Sequence, residues 1–232
     1  MTGTILIRGG GDLASGVALR LHRAGLKIVI TELAEPMVVR RLVSYAQAVF
    51  TGECTVEDTV GKLVRTLDEV VAAHADGQIP IIVDPDADIT NEIQPVLIID
   101  ARMTKTTHKY NLEGSAFIVG LGPGFMVEEN CTAAIETQRG HSLGRVIWEG
   151  SPEKNTGIAS TVSSYGSERV LRAPTPGKIS THVNICDRVR QGDLIANISG
   201  EKILAPFDGV VRGLLYDGIV VKAGTKFGDI DP

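Results

Sequence analysis

The sequence predicts an α/β domain built on a mostly parallel sheet, followed by a smaller all-β domain. Three observations support this prediction. The hydrophobic residues, 43% of the chain, are mainly Val, Ile, Leu and Ala, with only 4% aromatics, a composition typical of parallel strands covered on both faces. Apolar strand patterns alternate with helical patterns in the first half. A gapless repeat occupies the C-terminal part, and the 232 residues suffice for a substantial core.

The first elements predict a β-turn-α-β unit, the right-handed crossover from which parallel sheets are built. The helical pattern places Leu13, Val17 and Leu21 on one face. Gly25 is expected to end this helix. The unit consists of a strand over 4–8, three glycines, a helix over 12–24 and a second strand over 27–32.

Further elements are predicted before a boundary between two domains. Residues 55–64 fit neither the strand nor the helix period, so both interpretations stay open. The segment 150–168, rich in Ser, Gly and Thr, indicates a connection, so we expect domains over 1–165 and 168–232. The other predicted strands span 79–83, 96–99, 116–120 and 144–149, and the other helices span 37–46, 67–75 and a short stretch between 88 and 94.

The second domain contains a repeat with an offset of 32 residues, in which 173–198 align on 205–230. Two copies are too few for a solenoid. Each copy contains a turn glycine, an alternating strand and a Val-x-x-Gly turn, which predicts a small all-β sandwich of two interlocking halves. This pattern resembles the barrel-sandwich hybrid of biotinyl and lipoyl domains. The link between the copies is too short to present a carrier's lysine, so Lys202 is expected to be an ordinary surface residue.

The glycine run after the first strand indicates a Rossmann-like loop. Residues 9–14 fit G-x-G-x-x-A between a strand and a helix, where glycines and the helix N-terminus accept a pyrophosphate. Glu32 lies at the end of the second strand, where an acidic residue accepts hydrogen bonds from a ribose. Asp12 is expected to cap the helix or meet a cation, with Arg8 offsetting its charge. The alternative is that the glycines only permit tight packing.

Three other places carry candidate site residues. Two strands end in Asp84 and Asp100, at the sheet edge where α/β proteins bind ligands, although a turn with a helix cap is favoured for 84–88. The segment 120–125, with alternate glycines, predicts either a second anion-binding loop or a tight turn. The segment 139–145 joins a histidine to two arginines, which suits phosphates or acid/base chemistry or a solvated basic turn.

Charge and composition exclude several classes of function. A net charge of −5 argues against nucleic acid as a partner, and no apolar run approaches the roughly 20 residues that cross a bilayer. With no targeting pattern at residues 1–4, we expect a cytoplasmic protein. The three cysteines are scattered singly, so we expect buried thiols and no metal site.

Several sequence blocks together resemble one bacterial family. They are IRGGGDLASGVALRLHRAGLKIVITEL, IIVDPDA, IIDARMTK, VGLGPGF, ETQRGHSLGRVI, RVLRAP and FGDIDP. They are similar to the YqeB-like family of selenium-dependent molybdenum hydroxylase maturation proteins and, more loosely, to XdhC-type molybdenum cofactor chaperones. The resemblance covers the chain from Ile7 to the C-terminus. It implies that Lys105 matches a family lysine, although the residues around it depart from the family pattern.

The resemblance and the glycine loop together suggest an accessory protein for the maturation or insertion of a molybdopterin-type cofactor. Its ligand is expected to be a molybdopterin dinucleotide, and its partner a molybdenum hydroxylase. The alternative is an NAD(P)-dependent oxidoreductase acting on an intermediate of that pathway, with Lys105 or His141 as acid/base. A structural scaffold is a third hypothesis; enzymatic activity and homo-oligomer formation stay open. The predicted ligand-binding residues are Gly9, Gly10, Gly11, Asp12, Glu32, Gly122, Gly124 and Arg139.

Overall fold

The computed structural model describes residues 3–104, 110, 116–155 and 166–232. Contacts divide the chain into two units. The first unit takes Met1–Pro36 and Val43–Thr156, and the second takes Met37–Leu42 and Gly157–Pro232. The second unit therefore includes a short segment from the N-terminal half of the sequence.

The first unit is built on a nine-stranded mixed sheet with the order β3-β4-β5-β2-β1-β6-β7-β8-β9. The strands from β4 to β8 pair in parallel, whereas β3 and β9 pair antiparallel at the two ends. The strands are β1 (Ile5–Arg8), β2 (Ile28–Glu32), β3 (Glu53–Val56), β4 (Thr59–Val64), β5 (Ile79–Val83), β6 (Leu97–Asp100), β7 (Phe117–Leu121), β8 (Ala133–Ile135) and β9 (Val146–Ile147). The helices are α1 (Asp12–Arg23), α2 (Ala48–Thr51), α3 (Leu67–Ala75) and α4 (Thr90–Ile93), with short 3-10 helices at Arg41–Val43 and Tyr45–Gln47.

Helix α1 follows the glycine loop and ends as predicted at Gly25, whose φ is +79°. The predicted face is wrong in one respect, because Leu13 is 47% exposed, whereas Ala14 and Ala18 are buried. Small residues on this face let the helix axis approach the sheet closely. Val17 packs at the margin of the same core.

Alternate residues of the central strands point to opposite faces of the sheet and form two cores. Ile5 and Ile7 belong to the core on the α1 side, whereas Leu6 belongs to the core on the α3 side. Helix α3 begins at the capping residue Thr66, whose hydroxyl accepts a hydrogen bond from the Glu69 N–H at 3.2 Å. Both faces are thus covered, as the composition predicts.

The second unit contains two four-stranded antiparallel sheets with the orders β10-β17-β15-β12 and β14-β13-β11-β16. Equivalent strands of the two repeat copies begin 32 residues apart, as for β11 and β15. The strands are β10 (Val170–Arg172), β11 (Gly177–Thr181), β12 (Arg188–Val189), β13 (Leu194–Ile198), β14 (Glu201–Leu204), β15 (Gly209–Leu214), β16 (Val220–Val221) and β17 (Lys226–Asp231), preceded by a 3-10 helix at Ser167–Arg169.

The helix predicted over 37–46 is wrong. Within the second unit, the Val39 carbonyl accepts a hydrogen bond from the Leu214 N–H at 2.8 Å. A guanidinium nitrogen of Arg40 lies 2.6 Å from the Asp229 carboxylate, whose side chain is 4% exposed. These tertiary contacts outweigh the local helix pattern.

The fold class predicted from the sequence, a Rossmann-like sheet followed by a biotinyl/lipoyl-like barrel-sandwich hybrid, is also wrong. The first sheet is mixed, because the β3–β4 hairpin and β9 add antiparallel pairs at its ends. In the second unit, no described strand pairs across the two antiparallel sheets to close a barrel. Periodicity identifies strands, but it does not determine which strands pair or in which direction.

Among the residues that the structure describes, no helix combines the length and apolar character that crossing a membrane requires.

A substitution at Gly61 tests the packing of β4 against the buried ring of Tyr45. A Cβ at Gly61 would lie 2.5 Å from Tyr45 Cδ1 and 2.9 Å from Ile81 Cδ1. Gly61→Ala should therefore lower the free energy of unfolding by about 1–3 kcal/mol through overpacking. Urea unfolding followed by the fluorescence of Trp148, the single tryptophan, measures this in the first unit.

Gly16→Ala is the matched control, because no atom lies within 4 Å of the added Cβ in helix α1. It should leave stability unchanged or raise it by up to about 1 kcal/mol. Equal stability of the Gly61→Ala protein and the wild type would contradict the described packing.

Candidate functional site

The candidate site lies at the carboxyl edge of the first unit's sheet, where β1, β2 and β6 end at Arg8, Glu32 and Asp100. Strand β1 lies between β2 and β6. After β1, the chain first forms β2 on one side of β1, and it later forms β6 on the other side. This reversal of strand order is where open α/β sheets bind ligands.

A cluster of four polar side chains occupies this position: Arg8, Asp100, Arg102 and Tyr110, here called the Arg8 cluster. Arg8 and Asp100 are direct partners in the β1–β6 register. Tyr110 Oη donates to Asp100 at 2.7 Å and accepts from Arg8 Nη1 at 3.1 Å. Arg102 Nε donates to Asp100 Oδ1 at 3.0 Å. The buried carboxylate thus binds Arg102 and the Tyr110 hydroxyl directly, and Tyr110 links it to Arg8.

The electrostatics of the cluster keep Asp100 ionised. Burial alone acts to raise the pKa of Asp100, but hydrogen bonds from Arg102 and Tyr110 outweigh it and hold the pKa below its usual range. Burial and then the charge of Asp100 raise the pKa of Tyr110 to about 12. The phenol therefore stays protonated at neutral pH and remains a donor to the carboxylate.

Arg8 retains hydrogen-bonding capacity. Its other terminal nitrogen donates to the Pro85 carbonyl at 2.8 Å. Its Nε is buried and has no hydrogen-bond partner among the described residues. An unsatisfied buried donor is costly and calls for a partner.

Backbone groups of the glycine loop form hydrogen bonds within the protein. The Gly10 N–H donates to Glu32 Oε1 at 2.7 Å, and its carbonyl accepts from the Ala46 N–H at 2.9 Å. Gly9 has φ +89°, and a Cβ there would lie 3.2 Å from the Arg102 Cα. Only Gly11 faces open space.

Glu32, expected to accept from a ribose, accepts from backbone instead. Its two oxygens take the N–H groups of Gly10 and Leu33, each at 2.7 Å. Burial raises the pKa of Glu32, and these two hydrogen bonds oppose the shift. The predicted ribose contact stays a prediction, with both oxygens already bonded.

Asp12 lies exposed in the first turn of α1, where its Oδ1 accepts from the Leu13 N–H at 3.1 Å. The capping position itself belongs to Gly11. Asp84 accepts from the Asp88 and Ile89 N–H groups at 3.0 and 2.9 Å, which confirms the predicted turn. The predicted helix cap is wrong, because α4 begins after Ile89 without a side-chain cap.

The second glycine loop has a structural reason for its glycines. A Cβ at Gly120 would collide with the Phe125 ring, and Gly122 and Gly124 have φ values of +78° and +104°. The Gly124 carbonyl accepts from Asn130 Nδ2 at 3.1 Å. These contacts favour the tight-turn interpretation.

The remaining predicted site residues lie away from the Arg8 cluster or outside the described residues. Arg139 and His141 are exposed on the connection between β8 and β9, and β6 and β7 separate those strands from β1. Lys105 lies outside the described residues.

Arg102 and Tyr110 are the site residues that sequence reasoning missed. The signal for Arg102 was its position two residues after the strand-end Asp100.

No group of three or more His, Cys, Asp or Glu side chains among the described residues could hold a metal ion. The prediction that all cysteines are buried is confirmed for Cys131, but Cys54 is only partly buried and Cys186 is exposed.

The comparison with curated proteins finds a relative along nearly the whole sequence. The chain is 43% identical over 228 residues to the uncharacterized protein YqeB of Escherichia coli (strain K12). The chain is a homologue of YqeB. The alignment covers 98% of this chain but only 42% of YqeB, so the chain spans less than half the length of this relative. No protein-family model matches the chain.

Solved structures resemble the chain only weakly. An aspartoacylase family protein from Mesorhizobium loti is 10% identical with a TM-score of 0.29, covering 99% of this chain and 85% of that one. A succinylglutamate desuccinylase/aspartoacylase from Rhodobacter sphaeroides is 14% identical with a TM-score of 0.30, at 99% and 85% coverage. The product-bound ectoine utilization protein EutE (DoeB) from Ruegeria pomeroyi is 10% identical with a TM-score of 0.27, at 97% and 56% coverage. These scores are too low to transfer a fold or an activity.

The predicted function is corrected here. The YqeB homologue is uncharacterized, so this relative lends no support to cofactor maturation or hydride transfer. The physical basis of the prediction also weakens, because the Gly10 N–H intended for a pyrophosphate is bonded to Glu32. The resemblance to YqeB holds, whereas the maturation role, the link to XdhC-type chaperones and the alternative oxidoreductase are not supported.

Asp100→Asn tests the Arg8 cluster. Removing the buried carboxylate leaves Arg102 without its charge partner, so the free energy of unfolding should fall by about 3 kcal/mol at neutral pH. The contribution of a carboxyl with a lowered pKa is present above its unfolded pKa, near 4, and is lost as the pH falls through the folded pKa. Wild type and variant should therefore converge in stability as the pH drops below about 4. Urea unfolding across pH measures both effects.

Asp58→Asn is the control, because Asp58 forms an exposed ion pair with Arg23 and its loss should change stability little. A constant difference between wild type and Asp100→Asn from neutral to acid pH would contradict the assigned ionisation.

Proposed function

We propose that the first unit binds a small anionic molecule, with a phosphate or carboxylate group, at the carboxyl edge of its sheet. The observation that carries the proposal is the place of the Arg8 cluster, at the point between β1 and β6 where the strand order reverses. Ligands of open α/β sheets bind at this point. The ligand group would lie against Arg8 and Arg102.

The charges of the cluster favour an anion. The cluster contains two guanidinium groups and one carboxylate, and hydrogen bonds from Arg102 and Tyr110 already engage that carboxylate. Arg102 keeps a side-chain exposure of 25%, against 1% for Asp100. The accessible part of the cluster is therefore cationic, and guanidinium groups bind phosphates and carboxylates through paired hydrogen bonds.

The neighbouring backbone suits the same ligand class. Gly11 opens onto free space at the N-terminus of the 12-residue helix α1, where the helix dipole favours negative charge. The loop passes so close to Arg102 that a Cβ at Gly9 would lie 3.2 Å from the Arg102 Cα. A dinucleotide such as NAD stays a prediction within this class, with less support than a ligand that carries a single anionic group, because the Gly10 N–H is engaged.

Arg8→Gln tests the proposal by calorimetric titration with inorganic phosphate, pyrophosphate, AMP, NAD and succinate. At least one of these anions should bind the wild type saturably. The Arg8→Gln protein should bind it at least about tenfold more weakly, since hydrogen bonds to a charged group contribute about 1.5–3 kcal/mol. Arg8→Lys should recover part of the affinity because it keeps the charge.

Arg23→Gln is the matched control, since Arg23 lies at the far end of α1 and pairs with Glu57 and Asp58. It should bind the anion as the wild type does. Absence of saturable binding of every anion, or equal affinity of the Arg8→Gln protein, would refute the proposal.

A further inference from the structure

The second unit is positively charged in a chain that is negative overall. Its two segments, Met37–Leu42 and Gly157–Pro232, contain eleven Lys and Arg residues against eight Asp and Glu residues, a net charge of +3. The whole chain has a net charge of −5, so the first unit has a net charge of −8. A partner with negative charge is therefore attracted to the second unit and repelled by the first.

Four cations of the second unit lie together and are here called the Lys226 cluster: Arg40, Arg169, Arg172 and Lys226. Arg172 and Lys226 are direct partners in the antiparallel register of β10 and β17. Burial lowers the pKa of Lys226, and the charges of the three arginines add to this shift, while Asp229 opposes it. The four residues therefore share one region of positive potential.

The buried carboxylate of Asp229 is divided between two of these cations. One oxygen accepts from Arg40 Nη2 at 2.6 Å, and the other lies 3.7 Å from Lys226 Nζ. The second oxygen is buried and has no hydrogen-bond partner among the described residues. The Asp229 side chain is 4% exposed, against 25% for Arg40 and 36% for Lys226. The part of this group that solvent reaches is therefore cationic.

A second carboxylate, that of Asp231, is divided in the same way. It pairs with Arg169 and lies 3.3 Å from Nε of Arg212, a further cation outside the cluster. Arg172 donates to a backbone carbonyl at 3.0 Å, which leaves its charge unneutralised. Like charges directly opposite each other in a sheet are destabilising, and Arg172 lies opposite Lys226 in this way. Negative charge supplied by a ligand would relieve this repulsion.

We propose that the Lys226 cluster is a docking surface for an acidic segment of a partner protein. A single exposed ion pair contributes little, so a partner must meet several of these cations at once, as a run of Asp and Glu side chains does. Complementary charge of this kind selects the partner and speeds the encounter. The inference does not depend on the anion site proposed in the first unit.

The aromatic side chains of the second unit favour a polypeptide over a nucleic acid. Phe207 and Phe227 are 6% and 0% exposed, and the Arg41 guanidinium carbon lies 5.4 Å from the centroid of the Tyr216 ring. These rings are buried or already stacked, whereas proteins that bind single strands present rings to the bases. The first unit's net charge of −8 also repels a long phosphate backbone.

Fluorescence anisotropy of the full chain with a fluorescein-labelled peptide of ten glutamates, at low salt, tests the proposal. The wild type should bind this peptide saturably, with an affinity that falls as salt is added, and should not bind a peptide of ten glutamines. Arg172→Gln and Lys226→Gln should each weaken binding about threefold, and the double variant about tenfold, because each removes one exposed attraction.

Lys202→Gln is the matched control, because it removes one charge from an exposed lysine in β14, which belongs to the other sheet of the second unit. It should bind the glutamate peptide as the wild type does. Arg172→Gln should unfold at the same urea concentration as the wild type or a higher one, because it removes the repulsion of Lys226. Weaker binding without a loss of stability excludes misfolding as its cause.

Three results would overturn the proposal. One is the absence of saturable binding of the glutamate peptide by the wild type. Another is equal affinity of the cluster variants and the Lys202→Gln protein, since the peptide then binds elsewhere. The third is a labelled single-stranded DNA of ten nucleotides that binds more tightly than the peptide and loses affinity in the cluster variants, since the partner is then a nucleic acid.

Discussion

The hydrogen bond from the Gly10 N–H to the Glu32 carboxylate is the constraint on which the carboxyl edge depends. It joins the end of β2 to the turn after β1 at 2.7 Å, and the second oxygen is fixed by the Leu33 N–H. Two donors compensate a carboxylate that burial disfavours. With its N–H turned towards Glu32, Gly10 presents its carbonyl to Ala46 and to the Ser15 hydroxyl, which sets the start of α1.

Because the Gly10 N–H is bonded to Glu32, the positive charge that a ligand would meet at this edge comes from the Arg8 cluster. Asp100 is buried, and Arg102 and Tyr110 saturate much of its accepting capacity. A buried ion pair contributes little net stability against an apolar alternative, but it specifies geometry when every partner is fixed. Here it fixes Tyr110, which in turn holds one nitrogen of Arg8. The result is a guanidinium oriented by the fold at the position where ligands of such sheets bind.

The elements that could be predicted from the sequence are those that local patterns determine. The strand over 79–83 and the helix over 67–75 have the bounds that the sequence predicts, because continuous apolar runs and helical periodicity are local signals. The helix prediction over 37–46 is wrong because Arg40 forms a hydrogen bond to Asp229, 189 residues away. The fold class failed because strand direction at the sheet ends depends on pairing. The Arg8 cluster was missed because a glycine motif gives the position of a loop and not the identity of its hydrogen-bond partners.

The two ends of the nine-stranded sheet differ in what limits the addition of a further strand. At the β3 end, Glu53 pairs with Lys62, and the β3–β4 turn carries Glu57 bonded to Arg23. Charged side chains of this kind discourage strand addition. At the β9 end, the strand is only two residues long, Val146–Ile147, and a bend follows at 148–150. A very short edge strand itself limits strand addition, so the two ends of the sheet are protected by different means, charge at one end and a short strand at the other.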